Sequence, residues 1–251
     1  MTYCLSLLCH EGIVFLSDSR TSAGLDNITI HPKMRVFERP GERVICLMSS
    51  GNLSLTQSIL SLMEEDVARA TVEEGVSHFL NQVNLYETVR YIGNKVRTVR
   101  KLDVEVLRGA GVDYNINFII GGQIGNQPPQ IYRIYSEGNS IHASKESPFL
   151  QIGELKYGKP ILDRGFTYET SINEAVKIGL LSLDSTMKSN LSVGTPFDIF
   201  CYRAGSLKAE HRARLHDTSS YLSKVREEWQ KGLVRLVHDI PELDFTANRV
   251  G

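Results

Sequence analysis

The apolar positions change period along the chain, and the changes mark out its elements. Tyr3 to Cys9 is nearly all apolar, His10-Glu11-Gly12 turns the chain, and Ile13-Val14-Phe15-Leu16 resumes the run, which predicts a hairpin. Turn and capping residues then interrupt it from Asp18 to Gly24. Lys33 to Phe37 and Arg43 to Met48 form a second hairpin around Arg39-Pro40-Gly41-Glu42. From Ser54 the spacing of Leu55, Ile59, Leu62, Met63 and Val67 is helical, so a helix leaves the Ser49-Ser50-Gly51-Asn52 junction. A second helix is expected over 76–99, with Gly93 as a weak spot. Asn115 to Gly122 and Gln130 to Tyr135 read as strands joined by a Gly/Asn/Pro-rich loop. Two more helices carry Ile172, Val176, Leu180 and Leu183, then Tyr221, Val225, Trp229, Leu233 and Leu236, with a buried strand from Pro196 to Tyr202 between them.

Strands in adjacent pairs with helices grouped between them predict an α+β protein, antiparallel sheets covered by helices rather than βαβ units. No repeat, low-complexity stretch or linker divides residues 1–251, and a single domain is expected. With 251 residues the chain can bury a sizeable core. Its 28 Lys and Arg against 29 Asp and Glu provide no field to attract nucleic acid or an anionic membrane. No apolar run reaches the roughly 18 residues of a membrane span, and Met1-Thr2-Tyr3-Cys4-Leu5 lacks the pattern of a signal peptide, so a cytoplasmic location is expected. Cys4, Cys9, Cys46 and Cys201 are scattered without a C-x-x-C pair and read as buried thiols. The histidines form no zinc pattern, and His211 and His216 do not share a helical face.

Two glycine motifs invite nucleotide readings and fail them. Gly153-Glu154-Leu155-Lys156-Tyr157-Gly158-Lys159-Pro160 has the phosphate-loop spacing but ends in proline where a Mg²⁺-binding hydroxyl belongs; Pro160 suits the first turn of a short helix. Gly121-Gly122-Gln123-Ile124-Gly125 leads into Pro128-Pro129 rather than a helix, so a hairpin loop accounts for it. The basic stretch from Lys95 to Lys101 reads as a solvated helix face.

The beginning of the chain carries the candidate chemistry. With Met1 removed, Thr2 combines a hydroxyl nucleophile with an α-amine whose ordinary pKa, about 7.7–8.0, makes it a usable base near neutrality. The hairpin then leads to Ser17-Asp18-Ser19-Arg20-Thr21-Ser22-Ala23-Gly24 and Pro32-Lys33-Met34. The set resembles a proteasome-type β-subunit, and its wording is most similar to the bacterial ancestral β-subunit family, Anbu. The resemblance is dense over residues 2–51 and looser beyond.

The resemblance implies a four-layer αββα sandwich of the N-terminal nucleophile hydrolases. It assigns Thr2 as nucleophile, Lys33 as the charge beside its hydroxyl, and Asp18 as the partner that holds Lys33. It puts the oxyanion donor among backbone N–H groups at the start of the first helix, Ser50 first and Gly51 second. Thr21 and Met48 would line the substrate pocket, although Met48 reads equally well as a core methionine. Glu154 stands where the family carries a supporting serine. The family's later aspartate corresponds to Asp184, in a turn stretched as far as Gly194. Ser189 or Ser192 would supply the serine that follows, with Ser192 favoured by its nearness to Gly194; an ordinary helix end explains these residues as well.

The expected activity is therefore hydrolysis of peptide bonds through an acyl-ester on Thr2, without metal or organic cofactor. A small-molecule amidohydrolase on the same fold and a weakly active assembly scaffold are the alternatives. The resemblance also implies a large homo-oligomer, ring or helical, acting on peptide or protein, with no nucleic acid or membrane partner. No motif identifies an unfoldase.

Overall fold

The computed structural model describes residues 2–22 and 28–244; the side chains of residues 21, 22 and 28 also lie outside the description. In chain order the elements are β1 (Tyr3–Cys9), β2 (Gly12–Asp18), β3 (Arg20–Ser22), β4 (Ile28–Ile30), β5 (Met34–Arg39), β6 (Arg43–Gly51), α1 (Leu53–Arg69) and α2 (Leu85–Gly109). There follow β7 (Ile116–Ile124), β8 (Gln130–Ile134), β9 (Ser140–His142), β10 (Phe149–Gly153), α3 (Lys159–Gly165), α4 (Ile172–Ser189), β11 (Phe197–Arg203), β12 (His211–Leu215) and α5 (Ser220–Asp239). Two five-stranded sheets, ordered β10-β1-β2-β11-β12 and β5-β6-β7-β8-β9, pair antiparallel throughout, and β3 and β4 form a separate ribbon.

Strand alternation explains the layers. Tyr3, Leu5, Leu7 and Cys9 of β1 and Val14 and Leu16 of β2 point outward, where they meet Leu162, Ala175, Leu180, Leu183 and Leu222 of α3, α4 and α5. Cys4, Ile13 and Phe15 point the other way and meet Val44, Cys46, Met48 and Ile119 of the second sheet. The opposite face of that sheet, with Ile45, Leu47, Phe118 and Ile120, is covered by Leu55, Ile59 and Met63 of α1 and Val89, Ile92 and Val96 of α2. Central strands buried on both faces read as continuous apolar runs. Burial of Cys4, Cys9 and Cys46, and partial burial of Cys201, leaves four free thiols.

The expected hairpins, the first helix and the last two helices appear within a few residues of their predicted positions. The second helix differs: it begins at Leu85, not Val76, and runs on to Gly109. Asn84 starts it by accepting from the Glu87 amide (2.7 Å), while Asn81 and Gln82 bond back to His78 and fold the preceding residues into turns. Gly93 is where α2 comes closest to a turn of the chain, since a Cβ there would lie 2.3 Å from the Gly138 carbonyl oxygen. The basic stretch is also put to use: Lys95 pairs with Asp66 of α1, and Arg97 and Arg100 donate to the carbonyls of Gly138 and Tyr114. The three-residue strands β3, β4 and β9, together with β10 and β12, are additions to the expected elements, since strands this short or exposed carry little periodicity. Gly158 precedes α3 packed against Ser182, Tyr3 and Thr186, with Pro160 in the helix's first turn, so no phosphate loop forms.

Asp66 ties α1 to α2, accepting from the Tyr91 hydroxyl (2.5 Å) as well as from Lys95. Burial raises its pKa, but the bonds from Lys95 and Tyr91 outweigh burial and hold it below the ordinary carboxylate value. A lowered folded-state pKa stabilises above the unfolded-chain value and loses that contribution as pH falls through the folded one. Asp66→Asn should therefore cost about 1 kcal/mol at pH 7. Denaturant titrations repeated at decreasing pH should show the gap between variant and wild type closing in acid.

Candidate active site

A single carboxylate organises the beginning of the chain. Asp18 ends β2 with its side chain fully buried, and its Oδ1 accepts from the Lys33 ammonium (2.7 Å) and from the Tyr3 amide (2.9 Å). The Gly194 amide approaches Oδ2 at 3.4 Å. Lys33, just before β5, also donates to the Arg20 carbonyl (2.6 Å), while its own carbonyl accepts from the Ser49 amide (3.1 Å). Burial pushes the Asp18 carboxyl above its ordinary pKa; Lys33 and the amides of Tyr3 and Gly194 pull the other way.

Thr2 sits half-buried immediately before β1. Its carbonyl accepts from the Glu154 amide at 2.7 Å, and the next amide, that of Tyr3, donates to Asp18. The Thr2–Tyr3 peptide is thus held at both ends. Close approach of β10 requires Gly153, whose φ is +88° and where a Cβ would lie 1.9 Å from the Thr2 carbonyl oxygen. Tyr3 anchors the strand from below: its buried hydroxyl bonds Ser182 Oγ (2.6 Å) and accepts from Gln151 Nε2 (2.5 Å). Burial pushes this phenol up to about 12. Cys4, the next residue but one to Thr2, is a poor rival nucleophile, because complete burial holds its thiol well above the ordinary range.

The remaining sequence candidates divide. Ser192 lies in the turn after α4, where its amide donates to Asn190 Oδ1 (3.0 Å), and this turn continues to the Gly194 that meets Asp18. The same turn rests on Arg20, which donates to the Leu191 carbonyl and lies against Gly194. Ser189 is the exposed last residue of α4.

Asp184 corrects the expectation of a stretched turn: it lies inside α4, which Ser171 and Glu174 cap and which runs unbroken to Ser189. Its buried carboxylate accepts from Arg226 of α5 at 2.7 Å, well suited to fastening two helices.

Ser50 and Gly51 also differ from expectation, ending strand β6 rather than opening α1, whose N-cap is Asn52. Met48 is fully buried between the sheets, which is the core alternative, and the side chain of Thr21 lies outside the described residues. Glu154 is the residue that sequence reasoning undervalued. It is buried, its amide holds Thr2, and its carboxylate accepts from the Lys156 amide and Asn190 Nδ2, both at 3.0 Å. Gly153 before it was the available signal.

Two facing antiparallel sheets with helices on both outer sides make up the N-terminal nucleophile sandwich. The proteasome subunit family model matches residues 2–200. Among solved structures, Anbu from Pseudomonas aeruginosa, described as a helical assembly, is 38% identical with a TM-score of 0.90, covering 98% of this chain and 100% of its own. Anbu, the ancestral β-subunit, from Yersinia bercovieri is 38% identical with a TM-score of 0.88, covering 96% and 98%. Anbu from Hyphomicrobium sp. strain MC1 has the same identity and TM-score, covering 96% and 99%. No curated protein sequence matches. The chain belongs to the Anbu family of proteasome-type subunits.

The Asp184–Arg226 pair has a consequence for stability. Arg226→Gln strands the buried Asp184 carboxylate and should cost roughly 2 kcal/mol, whereas Asp184→Asn leaves Arg226 its second partner, Asp217 (3.0 Å), and should cost about 1 kcal/mol. The double variant should lose much less than the sum, and a double-mutant cycle by denaturant unfolding checks the coupling.

Proposed function

We propose that this subunit is an N-terminal threonine hydrolase that cleaves peptide bonds. One observation carries the reading: the carboxylate oxygen of Asp18 that receives the Lys33 ammonium also receives the amide following Thr2. That sharing supports Lys33 as the neighbour of the Thr2 hydroxyl. The ammonium has three donors, two of which serve Asp18 and Arg20, and the third suits the threonine oxygen.

In this mechanism Thr2 is the first residue of the mature chain. Its Oγ1 attacks the scissile carbonyl carbon while the α-amine, through a water, accepts the hydroxyl proton. Lys33 lowers the cost of negative charge on Oγ1, and Asp18 holds the Lys33 ammonium in place. The tetrahedral oxyanion needs a backbone donor. Ser49 faces β5 through its bond to Lys33, so strand alternation turns Ser50 towards β7 and aims the Gly51 N–H back to the Lys33 side. Gly51 is therefore favoured over Ser50. The C–N bond then breaks, the leaving amine takes the proton, and water releases the acid from the ester on Thr2. Ser192 supports the site through its turn; Asp184 and Ser189 have no part in the chemistry.

The free amine makes the reading testable. A C-terminally tagged protein should gain the mass of a peptide epoxyketone at Thr2, whereas a form with an uncleavable N-terminal extension should not. Equal modification of both would sink the assignment. Lys33→Ala, with folding checked by circular dichroism because it strands a buried carboxylate, should react at least about 100-fold more slowly.

Self-association is the second part of the reading. The Pseudomonas aeruginosa relative is described as a helical assembly, and α5 exposes Leu233, Val234, Leu236 and Val237, followed by Ile240. We assign this apolar helix surface to contact with another copy of the chain. Light scattering of the wild type should give a mass many times 28.1 kDa. Val234→Glu combined with Val237→Glu should shift it towards the monomer. Among the described residues no helix is long and apolar enough to cross a membrane.

A further inference from the structure

We infer that Glu154 and Asn190 are a pair of positioning residues that set the orientation of Thr2 and join it to the support of Asp18. The inference rests on the threonine-hydrolase reading and adds residues to its site.

The argument follows the hydrogen bonds outward from Thr2. The Thr2 carbonyl accepts from the Glu154 amide (2.7 Å). The Glu154 carboxylate accepts from Asn190 Nδ2 (3.0 Å), and Asn190 Oδ1 accepts from the Ser192 amide (3.0 Å). Two residues later the Gly194 amide reaches Asp18 Oδ2 (3.4 Å), and Asp18 Oδ1 accepts from the Tyr3 amide (2.9 Å). The path leaves the Thr2–Tyr3 peptide at its oxygen and returns to it at its nitrogen. A peptide plane held from both ends cannot rotate, and its rotation is what would swing the Thr2 hydroxyl and amine relative to Lys33.

Chemistry explains why this link requires a carboxylate and an amide. Glu154 accepts two N–H donors, from Lys156 and from Asn190, one on each oxygen. Glutamine could satisfy only one, because its NH₂ would face a second donor. Asn190 cannot turn its amide to compensate, since its Oδ1 is held by Ser192. Glu154 is buried, and an unmet donor there is costly. Neither side chain is placed on the reacting atoms, so both act through Thr2 and Asp18.

The test uses the full-length, C-terminally tagged protein, the epoxyketone as probe, and the variants Glu154→Gln, Asn190→Ala and their combination. Each single variant should lower the maximal rate of modification roughly ten-fold while the reagent concentration giving half that rate stays the same. The double variant should be no slower than the slower single, because both break one path. Amide hydrogen exchange should quicken in both variants at residues 3–5 and at 190–194 together. Unchanged modification rates, additive losses, or exchange that quickens only at 190–194 would each overturn the inference. A wild type that takes up no reagent overturns the hydrolase reading itself, before any substitution is made.

Discussion

Everything near the start of this chain depends on taking the Asp18 carboxylate out of water. A fully buried carboxylate is tolerated only where a cation and hydrogen-bond donors replace its hydration, and breaking such a pair costs about 3–5 kcal/mol. Lys33 supplies the charge, and the amides of Tyr3 and Gly194 supply the donors. Those partners come from β1, from the approach to β5 and from the turn before β11, so one group fixes the meeting of three separate segments. Stability and the proposed chemistry draw on the same bonds.

The sandwich makes that meeting reproducible. The central strands β1, β2 and β6, buried on both faces, have no freedom to shift register, since a slip by one residue would exchange their outer and inner apolar sets. Gly153 then lets β10 approach until the Glu154 amide reaches Thr2. A site built at strand ends on such a scaffold is held more closely than one carried on free loops. Helices α4 and α5, fastened by Asp184 and Arg226, close the outer layer and bring the Asn190–Gly194 turn down onto Arg20 and Asp18.

Particular residues show how far sequence reasoning carried. Tyr3 to Cys9 and Ile13 to Leu16 were readable because unbroken apolar runs of that length suit strands covered on both sides. The start of α2 falls at Leu85 and not at Val76 because the side chains of Asn81, Gln82 and Asn84 hydrogen-bond the local backbone and turn the chain there. The family resemblance puts Asp184 in a turn that reaches to Gly194, yet the helix continues past it to Ser189. Spacing along the chain does not reveal where a helix stops when no glycine or proline marks the end.

By itself the sequence determined the alternation of β1, β2 and β6, the helical periods of α1, α4 and α5, and the presence of Thr2, Asp18 and Lys33 in a recognisable order. These are local properties, written in period and residue type. Only the tertiary structure decided that Glu154 holds Thr2, that Asn190 links Glu154 to the turn over Asp18, that Asp184 belongs to Arg226, and that Met48 lies in the core. The Thr2–Glu154, Glu154–Asn190 and Asp184–Arg226 pairings join residues separated by tens to more than a hundred positions. Such partners are selected by which groups burial leaves in need of a donor or an acceptor, and that need exists only once the sheets have packed.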